Sequence, residues 1–367
     1  MSIKYHQGVI FAQDFFAMEE AFIEATKVKG HTLPNPPVGA VLIKNGKIIG
    51  RGGTLPAGQA HAEIVALRQS GEKSTGATLY VTLEPCSHHG RTPPCVDAVI
   101  AAGVTRVVAA CPDPNPKGAG RGFETLRRAG ITVEVGLGRE RAEAFYAGFF
   151  HWVRTGRPRI VVKIAESLDG RINASPGRKT ALTGAEALAY AHELRARADA
   201  ILVGGKTLRV DDPDLTPRLI SPAGGGPAPE VLVLSRHAPP AATPRVFAPG
   251  RTSGTRWGSP RRPRNLPDHV GYFPVNAQGS PTAALLTLFR ERGYHEVLVE
   301  GGRGVWTPFL NEGLCDMLAL VTAPVRMPAG EAWSEGLHPG WVKPLEFHRF
   351  TPLGRDTLTE FVRRASS

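Results

Sequence analysis

The chain has 367 residues, of which 42% are hydrophobic and 21% are charged, as is typical of globular proteins. This composition excludes an intrinsically disordered chain, and four cysteines exclude a disulfide framework. The length suggests two domains. The net charge of +11 suits nucleic acid or phosphorylated small molecules as partners. We favour a small phosphorylated substrate and no nucleic acid, because no RNA-binding motif occurs.

The chain begins without an apolar signal segment, and no stretch reaches the ~18 apolar residues of a membrane span. We therefore expect a cytoplasmic protein with no membrane partner. Thiols stay reduced in that compartment and can bind metal. Cys111 and Cys315 are expected to be buried apolar residues.

The first half alternates helices and strands. Apolar spacing predicts a helix over 13–29, and Asn45-Gly46 predicts a hairpin between strands 40–44 and 47–50. Helices are also expected from about 59, at 96–102 and at 123–129, and strands at 77–83, 105–110 and 131–135. This alternation predicts a three-layer α/β sandwich for residues 1 to about 150.

A candidate metal site lies within 59–95. His61, Cys86 and Cys95 are a ligand set that suits Zn²⁺, and three protein ligands leave the fourth tetrahedral position open to water, as in catalytic zinc sites. Glu63 follows His61 at the spacing of the proton-transferring glutamate of zinc nucleobase deaminases. We predict Glu63 as the catalytic acid and base. The alternative is a closed structural site with His88 or His89 as fourth ligand.

One detail narrows this interpretation, because eight residues separate the two cysteines whereas nucleobase deaminases usually have two. This loop, Ser87-His-His-Gly-Arg-Thr-Pro-Pro94, resembles that of the RibD family of bifunctional riboflavin-biosynthesis enzymes. The resemblance implies deamination of a diaminopyrimidinone that carries a phosphoribosylamino group, then reduction of its ribose to ribityl by NADPH. It also implies a cytidine-deaminase-like first domain, with Asn35, His88 and Arg91 contacting the substrate.

A short basic linker at 154–158 predicts a boundary between a deaminase domain, 1–153, and a reductase domain, 158–367. Strands are expected at 159–164, 200–203, 230–234 and 296–300, and helices at 185–197, at 282–292 and from about 305. The Pro/Arg/Gly-rich segment 238–268 is expected to be a flexible insertion. Six arginines and no acids lie between Arg245 and Arg264.

The resemblance extends to the second half and implies a dihydrofolate-reductase-like α/β fold. It implies substrate contacts from Arg195, Leu215, Arg218 and Glu300. The implied NADPH contacts are Ala165, Thr207, Asp211, Gly301, Gly302, Arg303 and Gly304. The glycine-rich turn 301–304 between a strand and a helix also suits a phosphate, although alone it is a weak signal. We expect a homo-oligomer.

The second half departs from the family pattern at two positions. Lys179 stands where the family has a substrate-contacting serine, and Ala181 stands where it has a tryptophan near the cofactor. One alternative is therefore a deaminase with a degenerate reductase domain. Another is a nucleic-acid deaminase or RNA-binding protein that uses the basic segment 245–264.

Overall fold

A computed structural model describes residues 12–116, 118–219, 228–249, 251, 253–276 and 278–364. These residues form two compact units that divide after Arg154. Each unit has its own β-sheet and its own hydrophobic core.

The first unit contains a five-stranded sheet in the order β2-β1-β3-β4-β5. Its strands are β1 Gly39–Lys44, β2 Lys47–Gly53, β3 Thr78–Val81, β4 Arg106–Ala109 and β5 Thr132–Val135. The pairs β1–β2 and β1–β3 are antiparallel, whereas β3, β4 and β5 are parallel. Asn45 and Gly46 have φ angles of 50° and 73°, so the predicted hairpin turn is confirmed.

Helices cover both faces of this sheet. They are α1 Ala12–Val28, α2 Ala62–Ser70, α3 Cys95–Ala101, α4 Arg121–Arg128, α5 Arg139–Phe145 and α6 Ala147–Thr155. Leu42 and Val107 pack with Ala66 of α2 on one face, while Val41 and Phe22 belong to the core of the other face. The predicted three-layer α/β arrangement is confirmed. Helices α5 and α6 were not predicted.

Gly39 allows α1 to pack directly on the sheet. A Cβ atom at this position would lie 1.9 Å from the carbonyl oxygen of Ala21, so no side chain fits. The register places Gly39 opposite Gly53, and the Gly39 carbonyl accepts a hydrogen bond from the amide of Thr82. The segments before β1, after β2, after β3 and after β4 therefore leave the sheet at one edge, where ligand sites of parallel sheets usually lie.

The second unit contains a nine-stranded sheet in the order β10-β9-β8-β7-β11-β6-β12-β14-β13. The strands are β6 Arg159–Ser167, β7 Ala200–Gly204, β8 Glu230–Leu234, β9 Thr255–Ser259, β10 Gly271–Pro274, β11 Glu296–Val299, β12 Met317–Ala323, β13 Leu345–Leu353 and β14 Asp356–Arg363. The pairs from β10 to β12 are parallel, and β14 and β13 are antiparallel. The helices are α7 Ala185–Arg197, α8 Gly205–Asp211, α9 Thr282–Arg292 and α10 Arg303–Asn311.

The segment 238–268 differs from the flexible insertion that we expected. It contains strand β9, and the side chains of Val246, Phe247 and Trp257 are almost completely buried. Arg251 donates a hydrogen bond of 2.8 Å to the carbonyl of Asp214, and Arg256 pairs with Glu230 at 2.6 Å. The acidic and carbonyl partners come from elsewhere in the chain, which is why local composition suggested a solvated basic loop. None of the described helices is long and apolar enough to cross a membrane.

Candidate active sites

The predicted metal ligands come together at the edge of the first sheet. His61 immediately precedes α2, Cys86 follows β3, and Cys95 is the first residue of α3. The Nδ1 atom of His61 lies 3.6 Å from Sγ of Cys86 and 3.2 Å from Sγ of Cys95. Tetrahedral zinc with ordinary Zn–N and Zn–S bonds holds such atoms about 3.6 Å apart. The three residues therefore fit zinc.

The surroundings of the two thiols favour the thiolate form at Cys86 but not at Cys95. Cys86 is hydrogen-bonded by the Cys95 side chain, by His61 and by the backbone N–H of Cys95, and these contacts lower its pKa to about 4. The pKa of Cys95 is raised because its neighbour holds the negative charge. Among the described residues, the cluster has no fourth histidine, cysteine or carboxylate ligand. This leaves one tetrahedral position open, so the closed structural site is not supported.

Glu63 lies in the first turn of α2, two residues after His61. Its side chain is only 3% exposed, and burial, together with the Cys86 charge, raises its pKa to about 7. A carboxyl group with such a pKa can both accept and donate a proton near neutral pH. The catalytic role of Glu63 stays a prediction, which this pKa supports.

The predicted substrate contacts of the first unit lie on two loops. Asn35 lies in the loop before β1, where its backbone N–H donates a hydrogen bond of 2.9 Å to the carbonyl oxygen of Thr32. His88 is half-buried, and its Nδ1 atom has no hydrogen-bond partner in the described part of the chain. Arg91 is exposed on the same loop as His88. Both loops leave the sheet at the edge that carries the metal ligands.

Sequence reasoning missed Glu84, which lies two residues before Cys86. Its carboxylate is 5% exposed and accepts hydrogen bonds from the backbone N–H groups of Asp113, Gly120, Gly122 and Phe123. The signal in the sequence was a charged residue at the end of an apolar strand, where burial requires partners.

The second unit has a cavity of about 860 Å³. It lies at the carboxyl ends of the parallel strands β7, β8 and β11, which is where such sheets bind ligands. Its lining includes these predicted residues: Ala165, Arg195, Thr207, Asp211, Leu215, Glu300, Gly301, Gly302, Arg303 and Gly304. Arg218 is not among the lining residues; it is exposed and lies 3.4 Å from Asp214.

An ion pair and a lysine contribute charged groups to the lining of this cavity. Arg195 binds Glu300 through two parallel hydrogen bonds of 2.7 and 2.6 Å. Lys163 of β6 lines the cavity as well; burial lowers its pKa, while the charge of Glu300 opposes this effect. Sequence reasoning missed Lys163. A single lysine among the apolar residues of a buried strand was the available signal.

The glycine-rich turns leave space for a cofactor. A Cβ atom at Gly301 would lie 3.1 Å from the backbone nitrogen of Gly204, so two turns approach closely here. At Gly302 and Gly304, by contrast, a Cβ atom would meet nothing within 4 Å. These residues begin α10, whose N-terminal amides suit a phosphate. The open backbone and the helix start fit a dinucleotide such as NADPH.

Neither of the two departures from the family pattern lines this cavity, but both adjoin the lining residue Thr180 in sequence. The Nζ atom of Lys179 donates a hydrogen bond of 3.0 Å to the carbonyl of Asp211, at the end of α8. Ala181 is exposed. Lys179 is thus hydrogen-bonded to the backbone of Asp211, a residue predicted to contact the cofactor.

Two family models match the chain. The RibD C-terminal domain matches residues 158–356, and the cytidine and deoxycytidylate deaminase zinc-binding region matches residues 12–111. These matches cover both of the units seen in the structure.

Several known proteins are similar over most of their length. The riboflavin biosynthesis protein RibD of Aquifex aeolicus is 41% identical, and the match covers 85% of this chain and 87% of the Aquifex protein. RibD of Escherichia coli K12 is 38% identical, and the match covers 85% of this chain and 88% of the Escherichia coli protein. The solved structure of Acinetobacter baumannii RibD, form 1, has a TM-score of 0.75 at 35% identity and covers 96% of this chain and 99% of its own. A diaminohydroxyphosphoribosylaminopyrimidine deaminase/5-amino-6-(5-phosphoribosylamino)uracil reductase from Thermotoga maritima has the same TM-score at 31% identity, over 96% and 99%.

Proposed function

Because the chain belongs to the RibD family, we propose which of its residues perform the two reactions of that family. The chain is a bifunctional enzyme of riboflavin biosynthesis, with a zinc-dependent deaminase and an NADPH-dependent reductase. The comparisons give no support to a deaminase with a degenerate reductase domain. The substrate is a small pyrimidine; its full form would be 2,5-diamino-6-(5-phosphoribosylamino)pyrimidin-4-one.

For deamination, His61, Cys86 and Cys95 would hold zinc, which when bound lowers the pKa of a water molecule and so supplies a nucleophile at neutral pH. Glu63 would take one proton of this water and deliver it to the ring nitrogen as the oxygen adds to the ring carbon. It would then take the second proton from the new hydroxyl group and deliver it to the amino group, which leaves as ammonia as the C–N bond breaks. Its pKa of about 7 allows both transfers at the same pH. Asn35, His88 and Arg91 would bind the substrate, and Arg91 suits its phosphate by charge and by its planar donors.

For reduction, NADPH supplies a hydride to C1′ of the ribose when bound to the second unit. Ala165, Thr207, Asp211 and the turn formed by Gly301, Gly302, Arg303 and Gly304 would hold the cofactor. Arg195, Leu215, Arg218 and Glu300 would contact the substrate. When the C1′–O4′ bond opens, a proton must reach O4′, and Lys163 is suited to donate it because burial lowers its pKa.

The grouping of the three candidate metal ligands, with Glu63 two residues after His61, is the observation that supports the deaminase assignment best. Two assays on one preparation test the proposal. Ammonia release from the diaminopyrimidinone substrate reports the first reaction, and NADPH oxidation with the already deaminated compound reports the second. Zinc-dependent ammonia release and NADPH turnover are expected. Absence of either reaction would overturn the corresponding half of the proposal.

We also propose a cytoplasmic homo-oligomer that binds no nucleic acid. The pairing of Arg251 and Arg256 with Asp214 and Glu230 supports the last point, because it leaves fewer basic side chains for phosphates. Sedimentation of the purified protein with and without a labelled RNA would test both the oligomeric state and the absence of binding.

A further inference from the structure

Glu84 joins the metal site to a distant part of the first unit. It lies in the turn after β3, immediately before Pro85 and the ligand Cys86. Its four hydrogen-bond donors belong to the segment 113–123, which follows β4 and includes the start of α4. A single carboxylate therefore fixes the spacing between two segments that leave the sheet at the same edge.

The two carboxylate oxygens hold two different parts of that segment. Oε2 accepts from the backbone N–H groups of Asp113 and Gly120, at 3.1 and 3.0 Å, and so holds both ends of the loop. Oε1 accepts from Gly122 and Phe123, at 2.9 and 3.3 Å, in the first turn of α4.

The packing around Gly122 confirms that the two segments are in close contact. A Cβ atom at Gly122 would lie 2.2 Å from the carbonyl oxygen of Pro85 and 3.0 Å from Oε1 of Glu84. The backbone of α4 therefore rests on the turn that carries Cys86. Any displacement of this turn would move the loop with it.

Asp113 belongs to the loop that Glu84 holds and is half-buried. Burial raises the pKa of its carboxyl group, and His88 and Cys86 are close enough for their charges to act on it. Its Oδ1 atom accepts a 2.9 Å hydrogen bond from the amide of Asn115, which fixes the turn of the loop. Asp113 thus lies within electrostatic range of His88, whose Nδ1 atom has no hydrogen-bond partner in the described residues.

We propose that Glu84 is a positioning residue of the deaminase site, which sets the distance between the loop 113–120 and the His88 loop and thereby shapes the substrate-binding wall beside the metal ligands. The role rests on the proposed deaminase function. Glu84 is not one of the candidate metal ligands, and its carboxylate oxygens are occupied by four backbone N–H groups. Its effect should therefore appear in substrate binding rather than in zinc content.

The variant Glu84→Gln tests this role because it keeps the shape of the side chain. Its amide oxygen replaces one acceptor, whereas its NH₂ group would face two backbone N–H donors. We expect hydrogen–deuterium exchange of peptides covering 113–123 to accelerate at least roughly tenfold, since hydrogen bonds to a charged group are lost. The KM for ammonia release should rise about tenfold or more, with bound zinc per chain unchanged. Glu84→Asp, which retains the negative charge, should have a KM between those of Glu84→Gln and the wild type.

The control is Asp14→Asn in the same unit. Asp14 is also a buried carboxylate, but it binds Arg106 and Tyr80, and Arg106 begins β4 at the opposite edge of the sheet. This variant should lower thermal stability and leave the KM unchanged.

Three outcomes would overturn the inference. A wild-type KM in Glu84→Gln would show that the loop spacing does not matter for substrate binding. Zinc loss in proportion to activity would mean that Glu84 supports the ligand Cys86 instead. An equal KM increase in Asp14→Asn would indicate a general effect of stability. If the wild-type protein itself released no ammonia, the proposed deaminase function would fail, and the role of Glu84 with it. If the wild-type protein were active and Glu84→Gln had the same KM, only the inference about Glu84 would fail.

Discussion

The metal site of the first unit and the cavity of the second are built in different ways. The zinc ligands and Glu63 come from a stretch of 35 residues, and two helix starts and one turn hold them. The cavity of the second unit draws its lining from residues between Lys163 and Glu331, that is, from most of that unit. A short motif can therefore reveal the first site, whereas the second exists only after the sheet has formed.

The two sites should therefore respond differently to single substitutions. In the metal site, a change of one ligand or of Glu63 removes a group that nothing else replaces. In the cavity, many residues each contribute a part of the binding, and single changes should have graded effects. Four variants test this contrast.

Glu63→Gln should have the largest effect. It keeps the size of the side chain but cannot accept a proton, so ammonia release should fall by about 10²–10⁴-fold. Zinc content and NADPH oxidation with the deaminated substrate should stay at wild-type levels. The control is Glu72→Gln, an exposed residue shortly after α2. Ammonia release above a tenth of the wild-type rate would remove Glu63 from its role.

Lys163→Met should lower reduction by roughly 10²-fold, because it removes the proposed proton donor and retains the apolar stem. The KM for NADPH should change little, which would distinguish a lost proton donor from a collapsed cavity. Lys206→Met is the matched control, since Lys206 also lines the cavity but pairs with Glu331 at its exposed side. Equal losses in the two variants would contradict the assignment.

Arg195→Lys should raise the KM of the reductase for its pyrimidine substrate about tenfold, because lysine cannot reproduce the two parallel hydrogen bonds to Glu300. The rate at saturating substrate should fall less. Arg197→Lys, two residues later on α7 and outside the cavity lining, should leave this KM unchanged. A wild-type KM in the Arg195 variant would mean that the ion pair serves only the fold.

The double substitution Lys179→Ser and Ala181→Trp should have the smallest effect. A tryptophan at position 181 could add about 1 kcal/mol of apolar contact with the cofactor, or roughly a fivefold gain in NADPH affinity. Loss of the Lys179 hydrogen bond to Asp211 opposes this gain. Titration of NADPH against the variant measures the balance. A change larger than tenfold in either direction would show that these positions control cofactor binding.

The sequence predicts regular elements well where local signals agree. The bounds of α7, β8 and α9 in the structure are those expected from apolar spacing, at 185–197, 230–234 and 282–292. Strand β9 was missed because its residues, Thr255–Ser259, lie among prolines, glycines and arginines. Its pairing with β8 and β10 and the burial of Trp257 identify it as a strand.

The site residues show the same limit. His61, Glu63, Cys86 and Cys95 could be predicted from their spacing, and the structure brings the three predicted metal ligands together. Glu84 and Lys163 could not, because their roles depend on partners distant in sequence, such as the backbone of 113–123 and the carboxylate of Glu300. Arg218 was predicted with the cavity residues but lies outside the lining, next to Asp214.

The distribution of tryptophan gives the second unit an optical signal of its own. Four of the five tryptophans, Trp257, Trp306, Trp333 and Trp341, lie in this unit, and only Trp152 lies in the first. Trp257 is fully buried, so its emission reports the integrity of the large sheet. Trp306 lines the cavity, where a bound nicotinamide nucleotide would quench it by energy transfer. Intrinsic fluorescence should therefore follow unfolding and cofactor binding in the second unit, almost undisturbed by events at the zinc site.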